Sequence, residues 1–248
     1  MTTLLEQDFD DIKYTVQKGR LALDNIFIFF IGVLVFSGAA IGVAYYAANA
    51  NTIGWDTLSE AWHSIFYVEA ALFVVHILVI LLSFLKSKFI HKFSIIMMVF
   101  FSYKMVVDPF VLILMVAKDR GTYDIYLPLV FQIISLGFLL HFTLVIKMLY
   151  ELKQEKRERK RTTKNSTIKW AIPIIFLLVV LTGIIIDSGV LGDNDLSFLL
   201  ILSTALLLTI LIGAVEFVLA AYCVIRFPSF LDSSSKKVQI QKKKKRKR

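Results

Sequence analysis

Residues 94–117 read SIIMMVFFSYKMVVDPFVLILMVA, an apolar run broken only by Lys104 and Asp108 among charged residues. A membrane-spanning helix needs about 20 residues to cross a hydrocarbon core of roughly 30 Å, and this run is long enough. In lipid the backbone must satisfy its own hydrogen bonds, so the run is predicted to be helical. Lys104 and Asp108 stand four apart, close enough on one helical face to pair. Pro109 follows, removing a backbone donor and freeing a carbonyl one turn earlier, near Met105.

Five more runs of the same character flank this one: Ile26–Ala47, Ile65–Leu85, Ile125–Leu149, Trp170–Ile186 and Phe198–Ile225. The chain of 248 residues is 57% apolar and 19% charged, with a mean hydropathy of +0.72. Soluble domains lie nearer about 45–50% apolar and about 25% charged. One cysteine, 11 Gly and 4 Pro leave no room for a disulfide scaffold or a collagen-like repeat. The expected fold is an all-α bundle of six transmembrane helices. Residues 170–186 are near the lower limit for a span, and 198–225 are long enough to tilt or project.

Basic residues set the expected sidedness. Residues 1–25 hold Lys13, Lys18 and Arg20, the connection after the second run holds Lys86, Lys88 and Lys92, and 150–169 and 226–248 are denser still. The alternate connections hold only Lys118 and Arg120. By the positive-inside rule both termini are expected in the cytoplasm, with the cell membrane as the expected residence. Ala48-Asn49-Ala50 resembles a leader cleavage site, but cleavage there would discard a whole span, so an uncleaved anchor is expected. Asn165-Ser166-Thr167 matches a glycosylation acceptor inside a basic segment, where it would go unused.

The sequence divides into an amphipathic N-terminal helix (1–25), four spans (26–149), a basic linker (150–169), two spans (170–225) and a basic tail (226–248). There is no internal repeat, and the basic linker favours a four-plus-two arrangement over an inverted three-plus-three one. Leu5, Phe9, Ile12 and Val16 mark the apolar face of the first segment, opposite Glu6, Asp8, Asp10 and Asp11. Thr57-Leu58-Ser59-Glu60 has the form of a capping box, which would start the second spanning helix outside the bilayer and put Trp62 at the interface. The tail, which ends in an unbroken basic run from Lys242 to Arg248, is expected to stay disordered and, with the linker, to meet anionic lipid headgroups rather than nucleic acid. Gly38 and Gly42 form a small-residue surface suited to close helix packing, within the bundle or in a homo-oligomer.

Ionisable groups inside a membrane are costly and tend to face a bundle interior. Counted from the ends of the runs, they and the polar Gln132 fall into two levels: an inner one of His76, Lys104, His141 and Glu216, and an outer one of Glu69, Asp108 and Gln132. Three readings follow. The residues line a polar path for protons or a small cation; or they are structural glue in a non-catalytic membrane subunit, accessory or immunity-type, that binds another membrane protein; or, as a minor reading, His76 and His141 ligate a b-type haem. The glue reading brings Lys104 or His141 to Glu216.

No G-x-S-x-G elbow, H-E-x-x-H helix or phosphate-binding loop is present, so the chain is not expected to be an enzyme, and no cofactor or metal is assigned. Cys223 is expected to pack as a small apolar side chain rather than carry a palmitoyl group. The acidic loop Asp187–Leu196 matches no EF-hand and is expected to be a solvated turn that caps the last helix at Asn194 or Asp195.

Overall fold

The computed structural model describes residues 4–50, 54–155 and 195–231. Among these, all regular structure is helical. Two elements lie near the N-terminus, a 3-10 turn Glu6–Phe9 and α1, Asp10–Lys18. Then come α2 (Leu23–Ala50), α3 (Glu60–Ser83), α4 (Lys88–Asp119), α5 (Tyr123–Glu155) and α6 (Asp195–Arg226), closed by a 3-10 turn Pro228–Leu231. From α2 to α6, five helices are long and apolar enough to cross a membrane. The chain is an all-α, multi-pass integral membrane protein. The expected span Trp170–Ile186, the Asn165 sequon, residues 187–194 of the acidic loop and most of the basic tail lie outside the described residues, as does most of the basic linker.

The helices overrun the apolar runs for local reasons. α4 starts before Ser94 because the Ser87 hydroxyl accepts from the Ile90 amide (3.1 Å), a good N-cap. α5 continues past Leu149 through residues that favour helix, with Lys147 and Glu151 paired one turn apart at 3.9 Å. Gly121 takes a positive φ of 69° in the sharp α4–α5 turn, a conformation that glycine adopts at little cost. Pro109 lies inside α4 and Pro128 inside α5 without ending either helix.

α4 is the hub, packing against α2, α3, α5 and α6. Its most apolar window is 50% buried, against 17% to 33% for the other four long helices. The ionisable pair therefore sits on the helix that lipid touches least. The close approach of α2 uses Ser37, Ala40, Ala44, Ala47 and Ala48, all buried. Gly38 and Gly42 lie outside this stripe. A methyl group on Gly38 would meet only Phe73 at 3.8 Å, and one on Gly42 would meet nothing within 4 Å.

At the end of the bundle that carries Lys86 and Lys88, α1 lays Phe9, Ile12 and Val16 into the core formed with Leu219, Cys223 and Phe230. Apart from Leu5, which is 46% exposed, the apolar face is thus covered by the protein itself. Glu6 receives hydrogen bonds from Lys13 and from the Ser229 hydroxyl, and the Gln17 amide donates to the Ser229 carbonyl at 3.1 Å. The Lys13 ammonium, and behind it the Ser229 hydroxyl, hold the Glu6 carboxyl below its ordinary range. Cys223 is fully buried in the same core.

Two helix-start expectations need correction. Thr57 does not cap α3: its hydroxyl donates to the Gly54 carbonyl (2.9 Å), closing the short turn Trp55–Thr57, and Ser59 is the N-cap. Trp62 is buried against Phe66 and Tyr123 rather than set in the lipid interface. At the other end α6 begins with Asp195, whose carboxylate accepts from Arg120 at 3.2 Å.

Candidate functional site: a buried carboxylate–ammonium cluster

Three helices meet around Lys104. Its ammonium donates to Asp108 Oδ2 (2.7 Å), one turn on in α4. It also forms an ion pair with Glu69 Oε2 of α3 at 2.6 Å, without the directionality of a hydrogen bond. Their side chains are 5%, 1% and 12% exposed for Lys104, Asp108 and Glu69. From α2, the fully buried Ser37 lies beside the Asp108 carboxyl. The ring of Phe73 lies 4.8 Å from the ammonium, where its π face adds a cation–π attraction.

The balance of charge is the chemical content of this cluster. With every group ionised, two carboxylates face one ammonium inside the bundle. Unpaired buried charge is costly, so one further positive charge makes the cluster neutral. Ser37 Oγ, Asp108 Oδ1 and Glu69 Oε2 have no hydrogen-bond partner among the described residues. Ser37 Oγ and Asp108 Oδ1 therefore keep lone pairs open inside the bundle, the Ser37 hydroxyl can also donate, and Glu69 Oε2 is engaged by Lys104 as an ion pair only.

The remaining candidates go elsewhere. His141 of α5 bridges two helices: its Nδ1–H donates to the Leu211 carbonyl of α6, and its Nε2 accepts from the Tyr103 hydroxyl of α4, both at 2.8 Å. A carbonyl can only accept, which fixes the tautomer of the neutral ring. With both nitrogens engaged, His141 packs as a structural bridge and offers no nitrogen to iron. His76 is fully buried, stacked on Phe101 with ring centroids 4.0 Å apart and edged by Phe30.

Glu216 takes its hydrogen bond from Arg20, in the turn between α1 and α2. The expected meeting of Lys104, His141 and Glu216 does not occur. Gln132 is exposed on the outer side of α5, beside Phe131, Ser135 and Leu136, and is not part of the cluster. The two expected levels thus resolve into one cluster that joins Lys104 to Glu69 and Asp108, with His76 nearby. Sequence reasoning overlooked Ser37, whose place in a run of small residues at three- and four-residue spacing was the available signal.

Comparison with protein-family models, with curated proteins and with solved structures finds no match. The class of the protein, multi-pass and all-α, rests on its own helices.

Proposed function

We propose that this chain is a transport or ion-pathway protein that binds and releases a proton at the Glu69–Lys104–Asp108 cluster. One observation carries the reading: two carboxylates share a single ammonium in a nearly dry interior. A fixed ion pair would need only one acid. The second acid gives the cluster a neutral form with one proton bound and an anionic form without it, and intramembrane carboxylates recur in proton relays. The distribution of basic residues supports placing both termini in the cytoplasm, with the linker and tail against anionic headgroups. No catalytic chemistry belongs to this reading.

The test is flux. The full chain is reconstituted in vesicles that enclose a pH-sensitive dye, and an imposed potential drives protons. Proton movement in the wild type that is lost in Glu69→Gln and Asp108→Asn supports the reading. Flux unchanged in both variants overturns it. The second reading, a non-catalytic membrane subunit that binds another membrane component, is favoured by the near-complete burial of the same three side chains. A correctly assembled wild type without flux would support it.

A further inference from the structure

His76 is the least explained residue in the bundle. Its side chain is wholly buried, and neither ring nitrogen has a hydrogen-bond partner among the described residues. A buried polar group without partners calls for a physical account. Around it stand Phe30 from α2, whose backbone also approaches the ring, and Phe101 from α4.

The spacing along α3 supplies the account. Glu69, Phe73 and His76 are four and three residues apart, so they form one row on the face toward Lys104. The row offers a carboxylate, then an aromatic π face, then an imidazole. The ammonium now rests at the first station, 2.6 Å from Glu69 Oε2, and already lies over the second at 4.8 Å from the Phe73 centroid. His76 is level with Phe101, which precedes Lys104 by three residues, about 4.5 Å along the axis. Asp108 is about 6 Å away in the other direction.

In a helix the Cα–Cβ bond tilts toward the N-terminus, which for α4 is the direction of Phe101 and His76. The Lys104 stem now bends against that tilt to reach Asp108. Four flexible methylenes allow the opposite course.

We propose that the His76 imidazole is the second seat of the Lys104 ammonium. When protons neutralise both carboxylates, the ammonium is left without an anion, passes over Phe73 and donates a hydrogen bond to the imidazole nitrogen that carries no hydrogen. The inference rests on the proton-binding reading above and deepens it: a second proton, taken up after the one that makes the cluster neutral, displaces the lysine's positive charge toward the end of the bundle that bears Lys86 and Lys88. That unprotonated ring nitrogen is the acceptor kept open for that state. A bistable side chain of this kind gives proton binding a conformational readout.

The experiment uses the full chain in lipid bilayers, labelled with 13C at lysine Cε and 15N in the histidine rings, and measures carbon–nitrogen dipolar contact by solid-state NMR. The double variant Glu69→Gln/Asp108→Asn imposes the state in which both acids are neutral, without any proton. A lysine–histidine contact absent from the wild type at neutral pH, present in the double variant and lost when His76→Phe is added is the expected result. No such contact in the double variant, or one that survives His76→Phe, overturns the inference.

If the double variant fails to assemble, the wild type in acid is read by the same criteria. The carboxyl carbons of Glu69 and Asp108, followed against pH in the wild type, test the underlying reading separately. Carboxyl shifts that never titrate would remove proton binding, while the double variant would still report whether the lysine moves.

Discussion

The Tyr103 hydroxyl donates a 2.8 Å hydrogen bond to His141 Nε2, joining the hub helix α4 to α5. On its other side the same imidazole holds the Leu211 carbonyl, so one ring links three helices. Interhelical hydrogen bonds in membranes average about 0.6 kcal/mol and reach about 1.7 kcal/mol. Tyr103→Phe should therefore cost about 0.6 kcal/mol and His141→Phe up to about 1.7 kcal/mol in reversible unfolding from bilayers or mixed micelles. A double-mutant cycle should return a coupling near the smaller figure. Zero coupling would show that the bond contributes nothing to stability.

Lys104→Met should damage the fold more than removal of either acid. It leaves Glu69 and Asp108 buried without a cation, a situation that costs about 3–5 kcal/mol when a buried ion pair loses one partner. Combining it with Glu69→Gln and Asp108→Asn should recover most of the loss, because no charge then remains to be compensated. Thermal unfolding in detergent and the yield of monodisperse protein measure both effects. A triple variant no better than Lys104→Met would contradict the charge-balance argument.

The glycines separate real packing from apparent packing. A methyl group on Gly137 would fall 2.3 Å from Leu207 Cδ2 and 3.4 Å from Leu211 Cδ1, where α5 meets α6. Gly137→Ala should cost about 1–3 kcal/mol, as overpacked cores do, less what the flexible Leu207 tip can yield. Gly42→Ala meets nothing, and should be neutral or gain up to about 0.5–1 kcal/mol from reduced backbone freedom in the unfolded chain. Equal losses at both sites would mean that Gly42 faces another helix.

Glu6 predicts a pH effect at the basic end of the bundle. Its carboxyl is held below its ordinary value by Lys13 first and Ser229 next. A depressed folded-state value stabilises the docked form above the unfolded-state value, and the contribution disappears as pH falls through the folded-state value. Docking of α1 should therefore loosen on the acid side of the ordinary glutamate value of 4.5. In Glu6→Gln the same docking should lose that pH dependence. Amide exchange across residues 9–18 measures it, and an identical acid profile in both proteins would reject the assignment.

The five described spans were legible in the sequence because each is a long, predominantly apolar run, and Lys104–Asp108 was legible because four residues make one helical turn. Glu69 was assigned to a different level from Lys104, since depth counted along the backbone ignores the reach of a four-carbon side chain. Glu216 was drawn toward the interior for a similar reason: the turn that carries Arg20 passes close to α6, and no pattern in α6 announces a partner from a distant part of the chain. The role of His141 was invisible because one of its partners is a backbone carbonyl, which every residue has. Gly38 and Gly42 were the more obvious small residues, yet the alanine-rich stripe around Ser37 makes the contact.

The seat of α1 is built from α6 and from the short turn after it, more than two hundred residues downstream. During synthesis α1 therefore emerges well before α6 and the turn that cover its apolar face, and its docking must follow theirs. A variant that keeps α2 to α6 but lacks residues 228–231 would leave α1 the α6 half of its seat and none of the contacts of Ser229 and Phe230.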